Sequence, residues 1–198
     1  MASIPLPSIL RVSTQRASLD INQRIGASPF GGSEQVVDVL NDRWRFSLSV
    51  PVMNFSDAAQ VESYINSMRG QVNTSPMHHM ARPQPRGTAR GTMVLAANAA
   101  QGAASIQISG VSPANGTLLA GDMIGVSGLL LQVGADATAA AGVITVTLNN
   151  RLRKALTSGA AVTWDKPSIE CRLMSASTPE YGAALTTGVE FEYSERIV

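Results

Sequence analysis

A strict alternation of polar and apolar side chains runs through Arg43-Trp44-Arg45-Phe46-Ser47-Leu48-Ser49-Val50. Successive side chains of a β-strand point to opposite faces, so this spacing places the four apolar residues on one face. The stretch therefore predicts a half-buried strand, with Trp44 and Phe46 in the core.

One amphipathic helix is predicted directly after this strand. Pro51 ends the strand, and Ser56 is expected to cap the helix before Asp57, whose charge favours a helix N-terminus. Gly70 suits the left-handed position that closes a helix. We predict a helix over 57–69 with a core-facing stripe at i, i+3, i+4, i+7 spacing, formed by Val61, Tyr64, Ile65 and Met68.

The residues before this strand also favour extended structure. Short apolar segments at 9–12 and 18–21 lack a helical period and suit an N-terminal strand or an extended arm. A turn is predicted at 28–33, where two glycines lie, and another strand at 35–40.

The chain changes character after the helix. Prolines and glycines interrupt residues 71–91, which we interpret as a crossover or linker. Residues 92–164 are almost uncharged, and Gly or Asn separates nearly all of their short apolar segments, a pattern typical of a small all-β barrel or sandwich. The strands predicted here are 93–96, 105–108, 123–126, 129–133, 143–148 and 161–164, and two further strands are predicted at 168–174 and 189–193.

Residues 1–88 offer too few strands to complete a domain around the predicted helix. The strands after residue 168 supply the missing ones. We predict a mainly β protein with a discontinuous first domain, residues 1–88 and 168–198, interrupted by an inserted β-barrel at 89–167. The two ends of such an insertion are expected to lie close together.

Composition argues against several functional classes. Charged residues make up 15% of the chain and the formal net charge is +1, so no concentrated positive field for specific nucleic-acid binding is expected. The single cysteine, Cys171, excludes an intramolecular disulfide and is interpreted as a buried, inert thiol. No apolar run is long enough to cross a bilayer, and the N-terminus lacks the pattern of a signal peptide, so cytoplasmic synthesis is expected.

Candidate catalytic and metal-binding residues are few. His78 and His79 are adjacent in one loop, and two histidines without a nearby carboxylate are weak metal ligands, so a packed or interface-facing loop is the preferred interpretation. Glu190, Glu192 and Glu195 form an acidic edge, with the first two on one face of a predicted strand, and solvated or lumen-facing carboxylates are favoured over a glycosidase pair. We predict no enzymatic activity, no metal and no cofactor.

Three other features have structural interpretations. The glycine-rich segments 30–32 and 86–91 match neither phosphate-binding fingerprint and are interpreted as turns. Arg151, Arg153 and Lys154 form a basic cluster, interpreted as a solvated hairpin end with phosphate or an acidic neighbour as the alternative. Trp44 and Trp164 are expected in the core, with stacking on a sugar as the alternative.

This order of elements resembles that of distal tail proteins of long-tailed bacteriophages. The resemblance spans most of the chain and depends on the order of the predicted elements and on the local sequence of short segments. The segments that carry it in the first domain are 28–33, 43–46, 57–59, 67–71, 171–174 and 190–193, and those in the insert are 103–110, 119–124, 150–153 and 164–167.

The resemblance implies a virion structural protein of the tail tip, or hub, of a siphovirus. The first domain would then be tail-tube-like and form a ring, commonly a hexamer, that lines the DNA channel, with the barrel facing outward. Its partners would be other copies of itself, the tail tube protein, the tape measure protein and other tail-tip proteins, without membrane insertion. An acidic lumen formed by Glu190 or Glu192 would let DNA pass without sticking.

Two alternatives come from other classes. The first is a carbohydrate-binding accessory module of the virion, which the absence of Trp, Tyr and Phe between residues 92 and 163 disfavours. The second is a tail tube or head–tail completion protein, which shares ring assembly and a β-rich fold.

Overall fold

The computed structural model describes residues 1–27 and 31–197. It is mainly β, with 43% strand and 7% helix, which confirms the predicted class. The first three positions of the turn predicted at 28–33 lie outside the described residues. The elements in chain order are β1 (Thr14–Asp20), β2 (Gln23–Ala27), β3 (Glu34–Asp38), β4 (Arg43–Val50), α1 (Phe55–Ser67), β5 (Ser75–Met77), β6 (Met93–Leu95), β7 (Ser105–Ser109), β8 (Thr117–Leu118), β9 (Met123–Val126), β10 (Leu129–Gln132), β11 (Ala137–Thr138), β12 (Ile144–Thr147), β13 (Ala161–Thr163), β14 (Ile169–Ala176) and β15 (Val189–Glu195).

The first sheet is built from both ends of the chain. Its five antiparallel strands follow the order β1-β4-β15-β14-β5, so β4 pairs with β15 across more than a hundred residues of sequence. One face of β4 is fully buried, as its alternation predicts, and packs with the inward residues of β15 and with α1. Inside this core the hydroxyls of Tyr64 and Tyr193 lie 2.9 Å apart, so each phenol has a polar partner where water is excluded.

The helix begins two residues earlier than predicted, at Phe55. Its N-cap is Asn54 and not Ser56, because the Asn54 side-chain oxygen accepts the backbone N–H of Asp57 at 2.8 Å. Asparagine and serine are both good N-caps, and the residue whose oxygen reaches a free N–H decides between them. At the other end Gly70 has a φ of +67°, the left-handed conformation predicted for it.

The predicted linker at 71–91 contains a strand that the sequence analysis missed. β5 forms an edge of the first sheet, where a proline at its centre is tolerated because one side of an edge strand needs no donor. The segment after β5 then approaches the opposite edge of the sheet. The amide of Gln15, on β1, donates to the His78 carbonyl at 2.8 Å and accepts from the Met80 N–H at 2.6 Å. One side chain thereby joins the two edges of the curled sheet.

The second sheet lies wholly within residues 93–163. Its six strands follow the order β10-β9-β13-β6-β7-β12, and β8 and β11 form a small separate pair. The six predicted strands match six observed ones with shifts of at most a residue or so at either end, whereas the two-residue strands β8 and β11 were not predicted. The apolar side chains of these strands form a second buried cluster, from Ala89 to Val162.

The two buried clusters meet where the chain crosses between them. The Lys166 N–H donates to the Pro83 carbonyl at 2.7 Å, so the outgoing and returning segments are adjacent. Met123 and Leu130, from the second sheet, belong to the buried cluster of the first. The Trp44 indole also donates to the Leu130 carbonyl at 2.9 Å. The insert is therefore packed against the first sheet as well as tethered to it.

Gly87 is required by a close approach of two backbones. A Cβ atom added there would lie 2.1 Å from the Thr117 carbonyl oxygen, in the segment that pairs with the Ala89 N–H at 2.9 Å. Replacing Gly87 with alanine is expected to lower the free energy of unfolding by about 1–3 kcal/mol, because backbone cannot yield as a flexible side chain can. Chemical denaturation measures the loss. Gly102→Ala, at a left-handed glycine with open space around it, is the control and should cost about 1 kcal/mol.

Alkaline pH is expected to destabilise the first core. Burial raises the pKa of the Cys171 thiol well above its ordinary 9.0, and burial together with Tyr64 raises the pKa of Tyr193 above its ordinary 10.0. Both groups must stay neutral in the folded chain, so their contribution to stability is complete below the ordinary pKa values and is lost as pH rises toward the folded ones. Denaturation midpoints should fall between about pH 8 and pH 11. A midpoint as high at pH 11 as at pH 8 would contradict this expectation.

Candidate assembly surfaces

Glu190 and Glu192 are exposed on the outer face of the first sheet. They alternate along β15 with residues that point into the core, and their neighbours across the sheet are Ser49 and Ser47 of β4. Neither carboxylate faces a second one across a cleft, since small hydroxyl side chains lie beside both. This geometry offers a solvated polar surface and lacks the opposed pair that glycoside hydrolysis requires.

The same outer face carries arginines as well as carboxylates. Arg16 of β1 and Arg43 and Arg45 of β4 are exposed there, and Asp20 forms an ion pair with Arg45 at 2.6 Å. Between Arg16 and Glu192 lies a shallow groove of about 360 Å³ with serines along its floor. On β1, β4 and β15 this face thus presents three arginines and three carboxylates, a balanced surface and not an acidic one.

The residues predicted as the core of the first domain are placed together by the fold. Trp44, Phe46, Val61, Tyr64 and Met68 are buried, and Ile65 is half-buried at the edge of the same cluster. Because these side chains fill the space between α1 and the sheet, they stabilise the domain and offer no binding surface.

The interpretation of the basic cluster as a solvated hairpin end fits the exposed Arg151 and Lys154 but is wrong for Arg153. Arg153 forms an ion pair with Glu195, and their side chains are only 14% and 1% exposed, so Glu195 is not the solvated or lumen-facing carboxylate expected from the sequence. The neighbouring Arg151 pairs with Asp38 at 3.2 Å, on the surface, and Lys154 donates to the Ser127 carbonyl at 2.7 Å. Each cation thus has a partner within the chain. Arg151 and Arg153 fasten the insert to β3 and β15, whereas the Lys154 contact lies within the insert.

The two histidines lie in a half-buried loop next to β5. His79 Nδ1 accepts the Arg82 N–H at 3.1 Å, and burial lowers the pKa of both imidazoles below the ordinary value. Among residues 1–27 and 31–197 no three His, Cys, Asp or Glu side chains are grouped as metal ligands. The observed contacts are those of a packed loop.

Trp164 is half-buried and not fully in the core as expected. Its indole donates to the Gly91 carbonyl at 2.9 Å, and the Arg90 guanidinium lies 5.0 Å from its ring centre. This cation–π contact covers one face of the ring, and the ring also packs against the second buried cluster.

The strands β2 and β3 form an exposed hairpin. Every residue of both strands is exposed, and each strand pairs only with the other. Ile25 and Val36 face each other across the hairpin and are 60% and 58% exposed. The strand predicted at 35–40 is thus present, but as part of this hairpin and with no buried face. These exposed apolar side chains make the hairpin a candidate contact surface.

A second apolar surface lies beside the start of α1. It is a groove of about 390 Å³ whose walls are Ile9, Leu10, Val52, Met53 and Leu185, with Arg11 and Asp57 as its charged members. Val52 and Leu185 are more than half exposed. The groove is not foreseeable from the sequence, because its walls come from three separate segments of the chain.

Comparison with known proteins identifies no relative. Neither a scan against protein-family models nor a search of curated proteins returns a match. No helix among the described residues has the length and hydropathy to span a bilayer. The class that fold and surfaces define is therefore a mainly β protein with one packed insert and two exposed apolar surfaces.

Proposed function

We propose that this chain is a structural subunit of the tail tip of a long-tailed bacteriophage, located in the virion. Copies form a ring that joins the tail tube to the distal hub and receptor-binding apparatus and lines the DNA channel. The observation that carries the proposal is the first sheet, a curled five-stranded sheet built from both chain ends, with one exposed, charge-balanced face. Its partners are other copies of the chain, the tail tube protein, the tape measure protein and other tail-tip proteins.

The outer face of the sheet supports a role in lining a channel. DNA carries dense negative charge, so an excess of arginines would bind it and slow its passage. On this face Arg16, Arg43 and Arg45 are offset by Asp20, Glu190 and Glu192. A surface of balanced charge also lets a polyanion pass, and the lumen-facing position of Glu190 and Glu192 stays part of the proposal. The arrangement suits a mechanical role.

The outer edge of β1 supports assembly where it is uncovered. β1 pairs with β4 on one side, and no described strand pairs with its other side, although the Gln15 side chain bonds to residues 78 and 80 there. The part of the edge that this segment leaves uncovered offers backbone N–H and C=O groups to a strand from another copy. The low fraction of charged residues, 15%, reduces the cost of desolvating subunit contacts.

Negative-stain electron microscopy of the purified chain, with its mass measured by light scattering, tests the proposal. We expect closed rings whose mass is a small multiple of 20.7 kDa, most simply six copies. Long tubes would instead favour a tail tube protein. A chain that stays monomeric, alone and when mixed with tail tube and hub proteins, would contradict a ring-forming role.

A further inference from the structure

The exposed hairpin and the apolar groove lie at opposite ends of one strand pair. β1 and β4 run antiparallel, with Asp20 opposite Arg43 at one end and Thr14 opposite Ser49 at the other. The hairpin extends from the Asp20 end, whereas the groove borders Val50 and the residues just before β1. The seven residues of β1 span about 23 Å at about 3.3 Å each, so a chain cannot fill its own groove with its own hairpin.

The two surfaces are complementary in polarity and charge. Ile25 and Val36 lie on one face of the hairpin, and Glu34 lies on that same face two residues before Val36. The groove has apolar walls and an exposed arginine, Arg11. The carboxylate of the groove, Asp57, already accepts the side-chain amide of the N-cap at 3.0 Å in the first turn of α1, which leaves the Arg11 guanidinium as the charge without a partner in the described part of the chain. Neither Glu34 nor Arg11 forms an ion pair within the described residues. An apolar pair flanked by a carboxylate thus matches an apolar groove flanked by a guanidinium.

We propose that the hairpin of one copy seats in the groove of the next copy, with Ile25 and Val36 against the apolar walls and Glu34 beside Arg11. Such a contact joins two different surfaces and is heterologous, so each copy both donates a hairpin and receives one. Repetition closes a ring or continues as an open chain, depending on the rotation between copies. The inference rests on the proposed ring-forming function and names the contact that produces it.

Cysteine cross-linking tests this contact directly. Cys171 is buried, so cysteines introduced by Val36→Cys and, in a second variant, Leu185→Cys supply the accessible thiols. After oxidation we expect a covalent dimer when the two variants are mixed and none from either variant alone. Val143→Cys, an exposed position in the insert, replaces Leu185→Cys in the matched control and should give no dimer with Val36→Cys. Circular dichroism confirms that each variant is folded.

A disulfide formed by Val36→Cys alone would overturn the proposal, because it requires two hairpins to meet face to face. No cross-link in the mixture, whether the chain is assembled or monomeric, would also overturn it. Microscopy of the same samples separates this inference from the proposed function. Rings that form without the cross-link would contradict the hairpin contact but support the ring-forming function. Cross-linked open chains would support the contact but contradict the ring.

Disruption of the apolar pair gives a second test. Ile25→Asp is expected to weaken self-association at least about tenfold in sedimentation experiments, since a charge would enter an apolar groove. Val143→Asp should leave association unchanged. Equal association of the Ile25→Asp variant and the unaltered chain would overturn the proposal.

Discussion

Arg153→Met is expected to lower the free energy of unfolding by about 3–5 kcal/mol, because it leaves a buried carboxylate without its cation. The Glu195 side chain is 1% exposed and also accepts the backbone N–H of Trp44 at 2.9 Å. Removal of the guanidinium would leave this negative charge in a dry environment between β4, β15 and the insert. Urea denaturation followed by Trp44 and Trp164 fluorescence measures the loss.

Arg151→Met is the matched control, two residues away in the same cluster. Its ion pair with Asp38 has side chains that are 52% and 47% exposed, and such surface pairs contribute about 0–1 kcal/mol. Adding Glu195→Gln to Arg153→Met should recover at least about 1 kcal/mol, since a neutral amide still accepts the Trp44 N–H. Equal losses from Arg151→Met and Arg153→Met would contradict the importance assigned to burial.

Asp122→Ala is expected to cost about 3–5 kcal/mol by removing one carboxylate that serves three backbone donors. The Asp122 side chain is 2% exposed and accepts the N–H groups of Arg86, Gly87 and Leu119 at 2.9, 3.2 and 2.8 Å. Each buried donor left without an acceptor costs about 1–3 kcal/mol. The loss should appear in denaturant unfolding.

Asp136→Ala provides the comparison for Asp122. Asp136 also accepts a backbone N–H, from Ala120 at 2.7 Å, but it is exposed, so water can replace it. We expect a cost of about 1 kcal/mol or less. Asp122→Asn keeps one oxygen acceptor and should lie between the two. A loss for Asp122→Ala no larger than for Asp136→Ala would contradict the role given to the buried carboxylate.

Elements governed by local spacing were predictable from the sequence. The alternation from Arg43 to Val50 placed Trp44 and Phe46 on the buried face of β4, and the stripe that includes Val61 and Tyr64 placed α1 against it. The strands of the insert followed for the same reason, since short apolar segments bounded by Gly or Asn define strands without reference to the rest of the chain.

Features that depend on distant partners were not predictable. β5 was missed because a three-residue segment around a proline is a strand only through its pairing with β14. The N-cap was misplaced because Asn54 and Ser56 are chemically alike as caps, and the path of the chain decides which one reaches the Asp57 N–H.

The candidate surfaces were also only partly predictable from the sequence. The sequence placed Glu190 and Glu192 on one face of a strand, but not the arginines beside them, which come from β1 and β4. Nor did it indicate that the hairpin strands β2 and β3 have no buried face, because Val36 and Val37 alone suggest a strand with one. Only the pairing of strands shows which apolar side chains are left uncovered.

The sequence by itself therefore determined the mainly β class, the helix α1 and the inward face of β4, because side-chain direction repeats with the local period of the backbone. The tertiary structure alone decided that Arg153 is buried and Arg151 exposed, that Asp122 serves three backbone donors, and that the hairpin and groove lie at opposite ends of β1. The reason is physical. Burial and partnership depend on which distant segments meet, and two arginines two residues apart carry no local difference that reveals it.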